Sequence, residues 1–335
     1  MDQARDNSKS LLCKVSILVP IYNVECFIEK CAVSLFEQDY GNIQYVFVND
    51  CTPDKSMEVL QRVIERYPNK DIVVINHDMN RGLSAARNTA VKAAKGEFVM
   101  HVDSDDYLSD KTAVSQLMKC QQYKQADVVI YDMQHVFADK CVIETACVPE
   151  DKVAYVNKIL SRQTPVCVCG GIYRKSLYTE RNVWAIEGLN YGEDYVTKPR
   201  LIYYANKVAH VKKPFYCYEH TNEQSYTSNF SSKAVVDQKQ VLQLLDDFFT
   251  TRPDYLLYVK ALQQAQARCK AECLIAWGVG SGTKEDFDSI CEIKVNMWQS
   301  LPIALRIVLI LSTLHMRHVL ALYSKLGVKI KKLLK

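Results

Sequence analysis

Three carboxylates follow one apolar segment in the first third of the chain. The segment 97–102 is mainly apolar and ends directly in Asp103-Ser104-Asp105-Asp106. Hard divalent cations such as Mg²⁺ and Mn²⁺ prefer carboxylate oxygens and often keep coordination positions open for phosphate groups. The run therefore predicts a site for a divalent cation and a diphosphate. A solvated acidic turn that caps the following helix is the alternative.

The elements that must position these acids alternate along the first 110 residues. Apolar runs predict strands over 15–19, 44–48, 71–75 and 97–102, and helices are predicted over 24–35, 56–67 and 83–94, the first capped by Asn23. This alternation is typical of a mostly parallel sheet with helices on both faces. In such sheets, ligands bind beyond the carboxyl ends of the strands. We therefore expect the polar segments 20–23, 49–54, 80–88 and 103–106 to meet at one edge.

No glycine-rich phosphate loop follows the first strand. The residues there are Pro20-Ile21-Tyr22-Asn23, which do not fit the Gly-x-Gly-x-x-Gly pattern of dinucleotide-binding enzymes, and the chain has no Walker-type loop. A nucleotide must then be held by side chains, and Asp50 and Arg87 are the candidates.

Charge divides the chain unevenly. Of 335 residues with a net charge of +4, the segment 301–335 holds seven basic residues and no acid, which leaves 35 basic and 38 acidic residues before it. That acidic body is unlike a nucleic-acid binder, and we expect no nucleic-acid partner. The odd number of cysteines, 13, and the polar amino terminus favour reduced thiols in the cytoplasm without a signal peptide.

Pattern changes predict the organisation of the whole chain. We expect a flexible amino terminus over 1–13, an α/β domain over 14–226 with halves at 14–110 and 111–226, and a helical extension over 227–300. The tail, 301–335, is apolar and basic. Its longest run without charge, 307–316, has ten residues, whereas a membrane span needs about 20. It resembles a helix lying on an anionic membrane surface, and a helix packed on the body is the alternative.

Four ordered motifs carry a family resemblance. The segments VPIYNVECFIEKCAVSLFEQ, VNDCTPDKS, NRGLSAARNTAVKAAKGEF and DSDDYL lie within residues 15–108. Together they resemble the nucleotide-binding half of a family 2 glycosyltransferase with the GT-A fold. The likeness continues more weakly through 187–194 to about residue 226. It implies a Rossmann-like, mostly parallel sheet with helices on both faces. The helical carboxyl-terminal region that is expected to follow this sheet is predicted from the residue pattern alone.

The resemblance implies a role for each matching residue. Asp50 falls where the family contacts the nucleotide base, Arg87 where a basic residue contacts the nucleotide, and Asp105 at the metal ligand. The other implied nucleotide-sugar contacts are Pro20, Tyr22, Asn23, Ser104 and Asp103, the last of which lies near both ribose and metal.

The second half of the match implies the acceptor side. Asp194 falls at the catalytic base, although a carboxylate pair at a helix start is an alternative for Glu193 and Asp194. Further candidates are His220 as a metal ligand, with a structural histidine as the alternative, and three acceptor contacts: Glu193, Tyr191 and Trp184, which could equally pack in the core.

The implied activity is inverting transfer of a sugar from a nucleotide donor, expected to be a UDP-sugar, with Mn²⁺ or Mg²⁺. The expected acceptor is a saccharide or lipid-linked saccharide in cell-envelope polysaccharide synthesis, at the inner face of the membrane. A sugar nucleotidyltransferase and a non-catalytic membrane-associated scaffold remain alternatives. The first would need a glycine-rich signature after the first strand, and the second would not need to keep Asp50, Asp103, Asp105 and Asp194.

Overall fold

The computed structural model describes residues 12–189, 191–222, 232–280, 282–299 and 301–333. Most of the predicted flexible amino terminus, residues 1–11, therefore lies outside the described residues. The chain divides into two compact units. The first comprises 1–150, 167–188 and 204–222, and the second comprises 151–166, 189–203 and 223–335. The units thus interleave along the chain, whereas the sequence analysis placed one boundary after residue 226.

The first unit contains a mixed sheet. In chain order its strands are β1 (Val15–Ile21), β2 (Ile43–Asn49), β3 (Asp71–Asn76), β4 (Phe98–His101), β5 (Tyr107–Leu108), β6 (Val128–Val136), β7 (Cys141–Glu144), β8 (Gly171–Arg174) and β9 (Val208–Glu219). Their order is β3-β2-β1-β4-β8-β6-β9-β5, and β7 pairs with β6. The first four strands are parallel, as predicted, and β8 joins both β4 and β6 antiparallel.

The helices of the described residues follow in chain order. They are α1 (Ile28–Phe36), α2 (Ser56–Glu65), α3 (Leu83–Ala93), α4 (Ala113–Lys124), α5 (Lys152–Leu160), α6 (Ser176–Thr179), α7 (Glu193–Tyr204), α8 (Ser232–Thr250), α9 (Val259–Val279), α10 (Lys284–Cys291), α11 (Ile303–Thr313) and α12 (Arg317–Leu333). In the first unit α3 packs on β1 and β2, and α1 packs on α2. In the second unit α9 contacts α5, α8, α10, α11 and α12.

Burial explains why the first strands are continuous apolar runs. Every residue of β1 is buried, and β2 is buried up to its last residue, because both lie between other strands with helices packed against them. Strand β3 lies at the end of the strand order and is half exposed. The sheet therefore places the ends of β1, β2 and β4 on a rigid frame.

The predicted start of the first helix is wrong. The residue that caps α1 is Phe27, and Asn23 has a left-handed backbone with φ of +57°. The backbone N–H of Asn23 donates to Oγ1 of Thr52 at 2.8 Å, and that of Val24 donates to Oγ of Ser56 at 3.0 Å. These contacts tie residues 23 and 24 to the loop after β2 and to the first residue of α2, so the helix begins four residues later than predicted.

The carboxyl-terminal third is helical, with differences in detail. The helix predicted over 283–298 is α10, which ends at Cys291. The tail forms two helices, α11 and α12, which are separated by a turn where His315 has φ of +52°. Among the described residues we find no helix whose length and apolar character would let it cross a bilayer.

Candidate active site

Asp50, at the end of β2, holds the chain that leads into α3. Its carboxylate is buried; Oδ1 accepts from Nδ1 of His77 at 2.7 Å and from the N–H of Arg81 at 2.9 Å, and Oδ2 accepts from the N–H of Gly82 at 2.7 Å. Gly82 has φ of +85°, a conformation that glycine adopts without strain. The carboxylate predicted to contact the nucleotide base is thus also an anchor for the start of α3. Its contact with a base stays a prediction.

His77 is a site residue that the sequence analysis missed. Its ring is buried between β2 and α3, with Nδ1 on Asp50 and Nε2 2.9 Å from Oγ1 of Thr89. Both ring nitrogens thus have a hydrogen-bond partner. Its only signal in the sequence is a polar residue directly after β3.

Arg87 and Asp103 form a partly buried ion pair. Nη2 of Arg87, which is 4% exposed, donates to Oδ1 of Asp103 at 2.8 Å, and the thiol of Cys169 donates to Oδ2 at 3.4 Å. Burial by itself raises the pKa of Asp103, but the charge and hydrogen bond of Arg87 outweigh it, so the pKa is lowered. Asp103 is therefore held as a carboxylate. The sequence predicted separate roles for Arg87 and Asp103 and gave no role to Cys169.

Asp105 differs from its two acidic neighbours. Its side chain is half-buried, and Oδ2 accepts from Nδ2 of Asn222 at 2.9 Å. Burial and the negative charge of Asp103 raise its pKa, which means that its negative charge is poorly compensated. A divalent cation would offset that charge, so this donor fits a metal.

Metal binding in the described residues would rest on few protein ligands. No group of three or more His, Cys, Asp or Glu side chains within these residues is arranged to hold a metal ion. Asp105 would then be the principal protein ligand, since both oxygens of Asp103 already accept hydrogen bonds from Arg87 and Cys169.

Asp106 faces into the fold. Oδ2 accepts from the hydroxyl of Tyr216 at 2.6 Å, Oδ1 accepts from the N–H of Glu219 at 2.8 Å, and the side chain is buried. The Tyr216 hydroxyl also accepts from the N–H of Asp103 at 3.0 Å. Burial, Asp105 and Asp103 together raise the pKa of Asp106 well above its usual value. Asp106 thus fixes the acidic turn on β9.

Of the other predicted donor contacts, Pro20 lies within β1, Tyr22 and Asn23 follow β1, and Ser104 follows β4. Pro20 and Ser104 are buried, whereas Tyr22 is 48% exposed and Asn23 is half-buried. Trp184, predicted on the acceptor side, is half-buried; its Nε1 donates to Oδ1 of Asn182 at 2.8 Å. Its roles in stacking or in the core stay predictions.

His220 lies in a cluster of rings at the end of β9. Its Nε2 is 2.9 Å from Nδ1 of His135, and its ring stacks on that of Phe137 with centroids 4.2 Å apart. His135 in turn bonds Oε2 of Glu144 through Nε2 at 3.0 Å. These contacts are those of the structural histidine that the sequence left as an alternative, and its role as a metal ligand stays a prediction.

The predicted base and two acceptor contacts belong to the second unit. Glu193 and Asp194 form the first turn of α7 and are half-buried, and the N–H of Tyr191 donates to Oδ2 of Asp237 at 3.2 Å. A carboxylate at a helix start is favoured by the helix dipole. This position suits either alternative, so the base role of Asp194 stays a prediction.

Known proteins are similar to part of this chain. EpsJ of Bacillus subtilis strain 168, named as an uncharacterized glycosyltransferase, is 34% identical over 192 residues, which cover 54% of this chain and 53% of EpsJ. TarS of Staphylococcus aureus strain Mu50, a poly(ribitol-phosphate) beta-N-acetylglucosaminyltransferase, is 30% identical over 225 residues, covering 64% of this chain and 37% of TarS. The chain thus spans about half the length of EpsJ and less of TarS.

Solved structures share the fold. S. aureus TarS 1-349 superposes with a TM-score of 0.69 at 20% identity, covering 95% of this chain and 92% of that chain. The same fragment is known with UDP and with UDP-GlcNAc, at TM-scores of 0.64 and 0.57. The mannosyltransferase PcManGT from Pyrobaculum calidifontis, in complex with GDP-Man and Mn²⁺, covers 95% of this chain and 88% of its own at 17% identity, with a TM-score of 0.55. At such identities the likeness bears on the fold alone, and it confirms the predicted GT-A fold.

The family assignment rests on the part of the chain that carries the motifs. The family model described as Glycosyl transferase family 2 matches residues 16–178, which include β1 from its second residue onward, β2 to β4, α3 and the acidic turn. The resemblance drawn from the four motifs is thereby confirmed. Residues 16–178 of this chain belong to glycosyl transferase family 2.

Proposed function

We propose that this protein is an inverting glycosyltransferase that moves a sugar from a UDP-sugar to a saccharide or lipid-linked acceptor in cell-envelope polysaccharide synthesis. The observation that carries the proposal is the arrangement at the end of β4. There, Arg87 neutralises Asp103 while Asp105 stays poorly compensated, within a family 2 domain. The UDP preference is supported by TarS, which was solved with UDP and UDP-GlcNAc.

The donor is proposed to bind at the edge formed by Asp50, α3 and the acidic turn. Asp50 retains acceptor capacity on Oδ2 for a base N–H, because a carboxylate oxygen can accept two hydrogen bonds. Asp105, with Asp103 beside it, would hold Mn²⁺ or Mg²⁺; when bound, such a cation stabilises the charge of a leaving diphosphate. PcManGT, solved with Mn²⁺, supports this cofactor class.

Transfer needs a base for the acceptor. In an inverting displacement the acceptor oxygen bonds to the anomeric carbon, the bond from that carbon to the diphosphate breaks, and the hydroxyl proton passes to a base. We assign that base to Asp194. The half-buried acceptor candidates Glu193 and Trp184, with Tyr191, would orient the acceptor.

The test compares two carboxylate variants with a panel of nucleotide sugars and Mn²⁺. We expect a UDP-sugar to be turned over, Asp105→Ala to lose at least 100-fold of the metal-dependent rate, and Asp194→Asn to bind donor normally while transfer falls at least 100-fold. Asp39→Ala, at an exposed acid of the first unit, is the control. Full transfer by Asp194→Asn would remove it from the base role.

Formation of a nucleotide sugar from sugar phosphate and UTP would favour the nucleotidyltransferase, and no turnover of any donor would favour the scaffold.

The tail is proposed to hold the enzyme at the inner face of the cell membrane. One face of α12 packs on α9: Leu320 and Ser324 are buried, and Gly278 of α9 allows Ser324 to approach. Another face carries Val319, Leu322 and Leu326, which are all exposed. The spacing i, i+3, i+7 places these three side chains on one stripe.

Exposed apolar side chains also occur on α11. Ile303 and Ile310 are exposed seven residues apart, and Leu314 is exposed just after the helix. No acid lies among the seven basic residues of 301–335. An apolar stripe with surrounding positive charge fits the boundary between the headgroups and acyl chains of an anionic bilayer.

Vesicle sedimentation tests this partner. We expect binding to vesicles that contain phosphatidylglycerol, weaker binding in high salt, and at least a tenfold loss in the triple variant Val319→Ser, Leu322→Ser, Leu326→Ser. Leu256→Ser, at an apolar residue of the second unit that is 85% exposed, is the matched control. Undiminished binding by the triple variant, or equal binding to neutral vesicles, would refute the membrane contact.

A further inference from the structure

We propose that Asn88 is a positioning residue that fixes the segment 184–187 on α3 and thereby sets the affinity for the acceptor. This inference rests on the proposed function, because it takes Trp184 as part of the acceptor side. All of the residues involved belong to the first unit. Asn88 lies within the third motif, but the family resemblance gave it no role.

The contact is a reciprocal pair of hydrogen bonds. Nδ2 of Asn88 donates to the carbonyl oxygen of Ala185 at 2.9 Å, and the N–H of Ala185 donates to Oδ1 of Asn88 at 3.0 Å. The side-chain amide thus pairs with a backbone amide as a neighbouring strand would. Asn88 is only 6% exposed, so water cannot readily replace either bond.

Glu187 extends the contact by one carboxylate. Nδ2 of Asn88 also lies 3.4 Å from Oε1 of Glu187, and Nη2 of Arg81 donates to Oε2 at 3.1 Å. Burial alone would raise the pKa of Glu187, but the bonds from Asn88 and Arg81 outweigh it and lower the pKa. The segment is therefore held at Ala185 by neutral hydrogen bonds and at Glu187 by bonds to a carboxylate.

The same helix and the two residues before it make the contacts of the proposed donor site. Arg87, next to Asn88 in sequence, bonds Asp103, and the N–H groups of Arg81 and Gly82 bond Asp50. Lys92, one turn after Asn88, has its Nζ 5.6 Å from the centroid of the Trp184 ring. Because α3 makes both sets of contacts, it aligns the segment 184–187 with the proposed donor site. Loss of the Asn88 amide should free the segment and leave Arg87 and Asp103 paired.

The kinetic test separates the acceptor from the donor. In Asn88→Ala we expect KM for the acceptor to rise about tenfold, which corresponds to one net hydrogen bond, while Kd for UDP changes less than twofold. Asn42→Ala is the matched control, since the Asn42 amide also donates to a backbone carbonyl, that of Leu12 at 2.7 Å. We expect that control to behave as wild type.

An exchange of groups tests the specific contact. Asn88→Asp keeps the oxygen that accepts from Ala185, but it removes the Nδ2 donor and sets a second carboxylate beside Glu187. We expect a larger rise in acceptor KM than in Asn88→Ala. Adding Glu187→Gln exchanges amide and carboxylate between the two positions and should recover at least threefold of that loss. A role limited to general folding would not produce this rescue.

Amide hydrogen exchange tests the contact between Asn88 and Ala185 without an activity measurement. The N–H of Ala185 should exchange at least tenfold faster in Asn88→Ala than in wild type or Asn42→Ala. Unchanged exchange, an unchanged acceptor KM, or an equal rise in UDP Kd would each overturn the proposal. If wild type turned over no nucleotide sugar, the proposed function would fail, and faster exchange of Ala185 would still establish that Asn88 holds the segment.

Discussion

Removing one hydroxyl should weaken both the fold and the acidic turn. Tyr216 is fully buried, and its hydroxyl donates to Oδ2 of Asp106 and accepts from the N–H of Asp103. In Tyr216→Phe the ring keeps its place and both bonds are lost. Because the pKa of Asp106 is raised, we count its bond as an ordinary hydrogen bond, which contributes about 0.5–1.5 kcal/mol, and a buried N–H left without a partner costs about 1–3 kcal/mol. We therefore expect the free energy of unfolding to fall by about 2–4 kcal/mol.

A second tyrosine calibrates that magnitude. Tyr45 is also buried, and its hydroxyl makes one neutral bond to the carbonyl oxygen of Leu35 at 2.9 Å. Tyr45→Phe should cost about 0.5–1.5 kcal/mol. Urea unfolding of wild type and both variants, under identical conditions, measures the difference.

The functional consequence concerns the metal. Tyr216 connects the backbone of Asp103 with Asp106, and Asp105 lies between them in sequence. Loss of a residue that orients a metal ligand typically lowers metal affinity or activity by about 10- to 100-fold. We expect the Mn²⁺ concentration for half-maximal activity to rise by about tenfold in Tyr216→Phe and to stay unchanged in Tyr45→Phe. If Tyr216→Phe costs no more stability than Tyr45→Phe, the assignment of both bonds is refuted.

Three further predictions test the frame around the site. His77→Ala removes two buried hydrogen bonds and should lower the free energy of unfolding by about 2–3 kcal/mol, as measured by thermal unfolding. It should also weaken UDP binding, as measured by calorimetry. A change in the free energy of unfolding under ~0.5 kcal/mol would contradict the prediction. Gly96→Ala would place a methyl 2.6–2.8 Å from backbone atoms and should cost about 2 kcal/mol or more, whereas Gly41→Ala, with nothing within 4 Å, should be neutral by urea unfolding. Burial raises the pKa of Asp54, but hydrogen bonds from neighbouring hydroxyl and backbone groups outweigh it and lower the pKa. Its stabilisation is thus present above the unfolded pKa of about 3.9 and lost as pH falls below it, so Asp54→Asn should flatten the fall in urea midpoint between about pH 5 and 3. A parallel fall in both proteins would contradict this.

The frame of the first unit could be read from local patterns. Continuous apolar runs identified β1 and β2 because strands buried on both faces need no polar residues. The order of motifs identified the family, and the acidic run after β4 identified the edge where chemistry is expected. The predicted start of α1 was wrong because the N–H groups of Asn23 and Val24 donate to the hydroxyls of Thr52 and Ser56, more than 25 residues away, and these bonds hold the chain.

What the sequence by itself determined is therefore the fold family and the candidate residues, since both depend on local periodicity and on residue types at short spacing. Only the tertiary structure decided which hydrogen-bond and charge partners each of the three acids has. Asp106 is occupied by Tyr216, 110 residues away, Asp103 is neutralised by Arg87 on α3, and Asp105 is left poorly compensated. The roles of identical side chains differ because burial and charged partners set their electrostatics, and those partners come from strands and helices far apart in the chain.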